Sequence, residues 1–242
     1  MVDGSNNPSS VEEYYSSALG LSGNALKDAL HTIIKTNHNT LTYAEAYVLL
    51  EELDADPNNS NNVLLLYTNR SQNATSTKCN VTNNGDCWNR EHTWPKSLGV
   101  GYISTKSAYT DLHNLRASDS SVNSSRSNKI FGNVKDIGGS ENNEAKGNYS
   151  NSTTWEPRDD IKGDIARISF YMATRYEGID SETDLEFNTI GDVCTLLTWD
   201  TQDPVNQEEK KRNDLVYKYQ KNRNPFVDNE TYSQSIWGNQ CN

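Results

Sequence analysis

The chain is short of the residues that usually carry chemistry and of those that usually build core. Its 242 residues include four histidines, two methionines, six prolines and four phenylalanines, and 33% of its positions are hydrophobic, below the usual share for a globular domain. No run of about 18 apolar residues occurs, which excludes a membrane-spanning helix. The first residues, MVDGSNNPSS, lack a charged segment backed by an apolar stretch, so an intact signal peptide is absent from this chain; a mature secreted protein whose leader has been replaced would look the same. Basic residues are also scarce, 22 against 33 acidic ones for a net charge of −11. That balance argues against a globally electropositive nucleic-acid binder, although a local basic groove on an acidic body is compatible with it. The four cysteines, Cys79, Cys87, Cys194 and Cys241, lack paired C-x-x-C spacing, which argues against a structural zinc site. Their even number fits two disulfides in an oxidising compartment. Cys79 and Cys87 would close a short loop, and four buried thiols in a cytosolic protein is the alternative.

Aromatic residues make up for part of the deficit. Thirteen tyrosines and five tryptophans argue for a folded, very polar protein rather than disorder. The length allows one large domain, and no internal repeat or long linker divides it. VEEYYSSALG, ending on Gly20, SGNALKDALHTIIKTN with Ser22 as cap, and TYAEAYVLLEEL read as helices. NVLLLYTN reads as a buried strand and residues 69–87 as loop. YISTKSAYTDLHNLRAS, with alternation at Leu112 and Asn114, reads as a second strand, SDSSVNSSRSNK as a short helix, and residues 133–154 as a polar loop. IKGDIARISFYMATRYEG carries Ile161, Ile165, Ile168 and Met172 at helical spacing and stops at Gly178. The remainder reads as helices joined by loops. The expectation is α+β: a mainly helical single domain over residues 1–242.

Chemistry concentrates in NREHTWPKS, residues 89–97, where Glu91 and His92 are adjacent. Pro95 would break a helix there, so this is not a zinc-binding H-E-x-x-H. A second cluster, TDLHNLRASDSSVNSSRSN, supplies Asp111, His113, Asn114, Arg116, Asp119, Asn123, Arg126 and Asn128 within residues 110–128. A strand bearing His, a return strand and a short helix bearing a polar ligand make a ββα-metal arrangement, with its core about residues 86–130. Its chemistry needs one imidazole as base toward water, one hard divalent ion on oxygen ligands, and an arginine for the phosphate.

WNREHTWPKS, TDLHNLRASDSSVNSSRSN, WEPRDDIKGDIARISFYMATRY and NRNPFVD, in this order, together resemble the endonuclease I family of periplasmic and extracellular bacterial nucleases, of the His-Me finger class. The resemblance spans about residue 10 to Trp237. It implies that His92 is the base, Glu91 the acidic metal ligand and Asn123 the amide metal ligand, with Asn128 the competing choice. It also implies one Mg²⁺ per site (or Mn²⁺ or Ca²⁺), cleavage of DNA and often RNA to 5′-phosphate products, and a secreted or periplasmic location. A monomer is expected. Arg126, three residues beyond Asn123 on a helix, would share its face and reach the same phosphate. Ala117 stands where the family often has Pro, which removes no functional group.

Neighbouring strand residues point to opposite faces, so Glu91 and His92 should not both face one ion. The expected resolution puts Glu91 on the metal and His92 on the attacking water. With an ordinary imidazole, activity should then fall as pH drops, and a rate unchanged between pH 5 and 8 would count against His92 as base. His113 reads as structural, while His31 and His38 carry no assigned function. Asp164 and Arg167 read as an ion pair on the polar face of an amphipathic helix, Trp94 and Trp155 as core, and QEEKKRND as a solvated helix face. Two rivals stand beside the nuclease: a phosphodiesterase acting on small nucleotides, and a non-catalytic binding module on a nuclease scaffold. The acidic balance suggests adaptation to salty surroundings, where long-range attraction is screened.

Overall fold

A computed structural model describes residues 10–80, 86–178 and 183–241; residues 1–9 of the N-terminal stretch lie outside them. Short polar side chains set several helix starts. Ser10 caps α1 (Val11–Tyr14), and Gly20 leaves the following turn at φ +75°. Ser22 precedes α2 (Gly23–Lys35) without a side-chain bond to it. Thr42 and Glu45 form a reciprocal capping box on α3 (Tyr43–Leu53).

The sheets are small. β1 (Ala55–Asp56), β2 (Asn59–Leu64) and β3 (Ser71–Asn73) form one antiparallel unit, so the strand expected around NVLLLYTN lies earlier and a strand interrupts the expected 69–87 loop. Leu65, Leu66 and Tyr67 are buried but belong to no strand. β4 (Trp88–His92) pairs with β5 (Leu115–Asp119), and α5 (Ser120–Arg126) follows directly. The expected strand over 102–117 is therefore mostly not one. α4 (Ser107–Thr110) and a turn precede β5, where the Asp111 carboxylate caps the His113 N–H and bonds Tyr171, Tyr176 and Gln220 from distant helices. The polar 133–154 stretch holds a hairpin: β7 (Ser140–Glu141) pairs β8 (Tyr149–Ser150), β8 pairs β9 (Thr154–Glu156), and β6 (Ile130–Phe131) adds to β9 in parallel.

α6 (Lys162–Tyr176) is the central helix, and all fifteen of its residues are buried. It is therefore not amphipathic with a solvated face. Arg167 lies within it, bound to Glu209 (2.7 and 2.8 Å) and Asp200 (2.8 Å), with Asp164 at 3.6 Å. A Cβ on Gly163 would stand 1.9 Å from the Asp203 carbonyl oxygen, so only glycine admits the end of α7 (Val193–Gln202) there. α8 (Gln207–Gln220), opened by an Asn206–Glu209 capping box, turns Glu209 inward, and Arg212 reaches Asp54 and the carbonyls of Leu112 and Leu115. The QEEKKRND segment is thus only partly solvated. α9 (Pro225–Asp228) and α10 (Tyr232–Trp237) close the chain.

Two apolar clusters result. One surrounds α6 and includes Trp94, Trp155 and Val122; the other joins α3 to β4 and β5 through Trp88, Leu115 and Ala117. The β4–β5–α5 finger is held between them. The cysteines form two disulfides, Cys79–Cys87 and Cys194–Cys241. Among the described residues no helix is long and apolar enough to cross a membrane.

Candidate active site

The register of the finger pairs Glu91 with Arg116 and His92 with Leu115. Alternation sends Trp88, Arg90 and His92 toward the tyrosines of α3 and α4, and Asn89 and Glu91 toward α5. Accordingly His92 packs on Tyr43 and Tyr109, with ring centroids 5.8 and 4.9 Å away, whereas Glu91 meets Arg126 of α5 at 3.1 Å. Both residues nevertheless line one cavity of about 600 Å³, together with Asn123 and Asn128.

The DLHN turn holds this arrangement from behind. Asp111 accepts hydrogen bonds from the hydroxyls of Tyr171 (2.8 Å) and Tyr176 (2.7 Å) and from Gln220 Nε2 (2.7 Å). Asn114 grips Trp94 on both sides, accepting from its backbone N–H at 2.7 Å and donating to its carbonyl at 3.2 Å. His113 is buried against Tyr171, with Nε2 3.3 Å from the Asn222 carbonyl. It lines no part of the cavity that Glu91 and His92 share. His31 bonds the Thr174 carbonyl inside the core, and His38 lies beside Asn222 and Arg175.

His92 Nε2 lies 2.8 Å from the Tyr109 carbonyl oxygen. A carbonyl only accepts, so Nε2 carries the proton and Nδ1 holds the lone pair. Burial pushes the His92 pKa down to about 4, opposed by the Tyr109 bond and helped by Lys96, Arg90 and Arg126. The imidazole is therefore neutral through the physiological range, and the expected loss of activity near pH 6.5 is displaced downward.

Glu91 is raised from the ordinary carboxylate range by burial, against the opposing pull of Arg126 and the Tyr67 hydroxyl. Both of those partners bond Oε1, at 3.1 and 2.8 Å, which leaves Oε2 for a ligand. Asn123 Nδ2 donates to Asn89 Oδ1 (2.7 Å) and to the Arg90 carbonyl (3.3 Å). With its nitrogen turned to β4, the amide presents Oδ1 on the opposite side. One carboxylate oxygen, one amide oxygen and room for several waters suit a hard divalent ion, which takes oxygen ligands and keeps part of its water shell. Among the described residues no group of three or more His, Cys, Asp or Glu is arranged to hold a metal.

Arg126 does not do what its helical spacing suggested. Its side chain is fully buried, lines no part of the cavity, and donates to Glu91, to the His92 carbonyl (3.2 Å) and to the Thr93 carbonyl (2.7 Å). These bonds tie α5 to the end of β4. The cations on the cavity wall are Arg90 and Lys96. Arg90 stacks on Tyr43 and Tyr47 (3.5 and 4.1 Å) and donates to the Tyr43 carbonyl, while Lys96 Nζ lies over Tyr102 and Tyr109. Sequence reasoning passed over both, although each sits in NREHTWPKS within four residues of His92. They make the local basic patch that the net charge left open.

Comparison with known proteins agrees with this geometry. A family profile described as Endonuclease I matches residues 22–231. The chain is 48% identical to an extracellular ribonuclease of Bacillus subtilis (strain 168) over 94% of its own length and 79% of the relative's. It is 47% identical to an extracellular ribonuclease of Bacillus amyloliquefaciens, over 94% and 78%. An Endonuclease-1 of Buchnera aphidicola is 30% identical over 52% of this chain and 47% of that protein. A finger that brings a neutral imidazole, a buried carboxylate and an oriented amide to one cavity, on a chain matched over most of its length, makes this protein a member of the Endonuclease I family and a nuclease, that is, a phosphodiester hydrolase.

Proposed function

We propose that the protein is a secreted, divalent-metal-dependent endonuclease that hydrolyses DNA and RNA without regard to sequence or sugar, acting as a monomer built from one domain over residues 1–242. The observation that carries this reading is the fixed tautomer of His92 in a cavity it shares with Glu91 and Asn123. Nδ1 of His92 takes a proton from the attacking water, and the Nε2–H bond to Tyr109 keeps the ring oriented as charge develops. Water adds at phosphorus and the P–O3′ bond breaks; the departing 3′-oxygen takes a proton from solvent, which leaves a 5′-phosphate and a 3′-hydroxyl. Glu91 Oε2 and Asn123 Oδ1 would hold one Mg²⁺ (or Mn²⁺ or Ca²⁺). When bound, such an ion stabilises charge on the phosphate and on the leaving oxygen. Arg126 is a positioning residue that opposes the burial-driven rise of Glu91 and keeps it aimed, and Lys96 and Arg90 offer positive charge to the incoming backbone.

Because the nucleophile is water, the chemistry needs no 2′-hydroxyl, which supports action on both sugars. The relatives include both extracellular ribonucleases and Endonuclease-1 proteins. The extracellular relatives and the two disulfides support secretion.

The test is nicking of plasmid DNA and degradation of RNA with Mg²⁺, with and without EDTA, for the parent and His92→Ala. Loss of both activities in EDTA and in a folded His92→Ala is expected. Undiminished cleavage in either condition would overturn the roles given to the ion or to His92. Turnover of a small chromogenic diester that matches plasmid cleavage would favour the phosphodiesterase alternative.

A further inference from the structure

The cavity has an uneven rim. On one side stands Tyr102, 69% exposed, followed by Ile103 at 58%. Tyr102 is the only aromatic residue in the exposed class among the described residues, and it borders the catalytic cavity. It also borders a second hollow of about 200 Å³, lined by Gly99, Gly101, Ile103, Lys106 and Asp184 among others. The ring therefore forms a ridge between the phosphodiester site and a neighbouring depression.

The loop that carries it is fixed. Gly101 N–H donates to the Lys96 carbonyl (2.9 Å), Lys106 N–H to the Ile103 carbonyl (3.0 Å), and Trp94 Nε1 to the Leu98 carbonyl (2.7 Å). Asp184 N–H donates to the Gly99 carbonyl at 3.0 Å. Gly99 sits at φ +105°, and a Cβ there would meet the Asp184 backbone at 2.5 Å. Lys96 Nζ stands 5.5 Å from the Tyr102 ring centroid, and both residues line the cavity. A scattered exposed apolar side chain needs no explanation. An exposed aromatic face beside a lysine, on a loop tied by backbone hydrogen bonds at the lip of a site that cuts phosphodiesters, matches the pairing of stacking platform and cation that binds single-stranded nucleic acid.

We propose that Tyr102 is a nucleobase platform: an unpaired base flanking the scissile phosphate stacks on its ring while Lys96 takes the adjoining backbone charge. This deepens the nuclease reading and rests on it. Its consequence is a preference for single strands, loops and frayed ends, because a base inside a duplex is already stacked on its neighbours and must be freed first.

The experiment is fluorescence anisotropy of a labelled short single-stranded oligodeoxynucleotide, measured in EDTA so that binding is read without cleavage. Tyr102→Ala is expected to weaken Kd by roughly 5- to 100-fold, and Tyr102→Phe, which keeps the ring, to bind within about twofold of the parent. On an otherwise identical strand of abasic sites, the parent and Tyr102→Ala should bind alike. On a blunt duplex the difference should shrink. Equal Kd for the parent and Tyr102→Ala on the normal strand would overturn the proposal, as would a loss that persists in full on the abasic strand. Since neither result depends on cleavage, failure of the metal-dependent mechanism is detected separately, in the plasmid assay.

Discussion

Replacing Arg126 by Met separates a residue that contacts substrate from one that braces the site. In the folded protein its guanidinium has no exposure, bonds Glu91 Oε1 and the carbonyls of His92 and Thr93, and lies 4.5 Å from the centroid of the Phe131 ring. Glu91 is itself 2% exposed, and after the substitution it would keep only the Tyr67 bond of the two on Oε1. Removing one partner of a buried ion pair costs about 3–5 kcal/mol, because the other charge is left uncompensated. At about 2–4 °C per kcal/mol for a chain of this size, Tm should fall by roughly 6–20 °C. Adding Glu91→Gln removes the stranded charge and should restore part of the lost Tm, with no return of cleavage. Calorimetry of the single and double variants reads the first effect, and cleavage kinetics well below the lower Tm reads the second. An Arg126→Met protein with the parent's Tm and a raised KM for nucleic acid would refute this account and return Arg126 to the phosphate.

Other outcomes follow from the same structure. Burial holds both His92 and His113 at about 4, below the unfolded value near 6.5, so the folded state binds fewer protons than the unfolded state between these values. The stability this gives is complete above pH 6.5 and is lost as pH falls toward 4, on the order of 3 kcal/mol per histidine; the Tm of a His113→Asn variant should depend less steeply on pH over that window. For the same reason cleavage should stay level from pH 8 to about 5 as far as His92 is concerned, and a limb centred on 6.5 would contradict the burial of its ring. The Cys194–Cys241 bridge spans 47 positions and Cys79–Cys87 spans 8, so loss of the first should cost about 4 kcal/mol and of the second about 2.5, in the chain-entropy account. Urea unfolding of paired Cys→Ser variants ranks them. If the acidic surface is an adaptation to salty surroundings, raising NaCl to about 0.5 M should reduce cleavage only modestly; a steep loss in a titration would sink that idea.

What sequence determined by itself was chemistry and local structure. Glu91 and His92 were legible because so few other histidines compete with them. The apolar periodicity of residues 161–176 foretold a helix, since such spacing acts within a few residues, whereas the cap expected at Ser22 makes no side-chain bond. The short helix of the finger was legible in residues 118–129, whereas β5 covers only the end of the strand expected over 102–117. Tertiary structure alone decided how these parts are used. Alternation in β4 faces Glu91 and His92 to different neighbours, yet both open on one cavity, and no spacing rule says where a cavity lies. Arg126 shares a helix with Asn123 but is claimed by the backbone of β4, a partner more than thirty positions away. Leu112 and Asn114 resembled strand residues by alternation, yet the DLHN turn became a clamp: Asp111 is held by Tyr171, Tyr176 and Gln220 from helices far along the chain, and Asn114 grips Trp94. The ring nitrogen of His92 that stays free was likewise decided by the Tyr109 carbonyl. Patterning fixes which residues are reactive or apolar; burial and distant hydrogen-bond partners, which exist only once the chain has closed on itself, fix their charge, their tautomer and their direction.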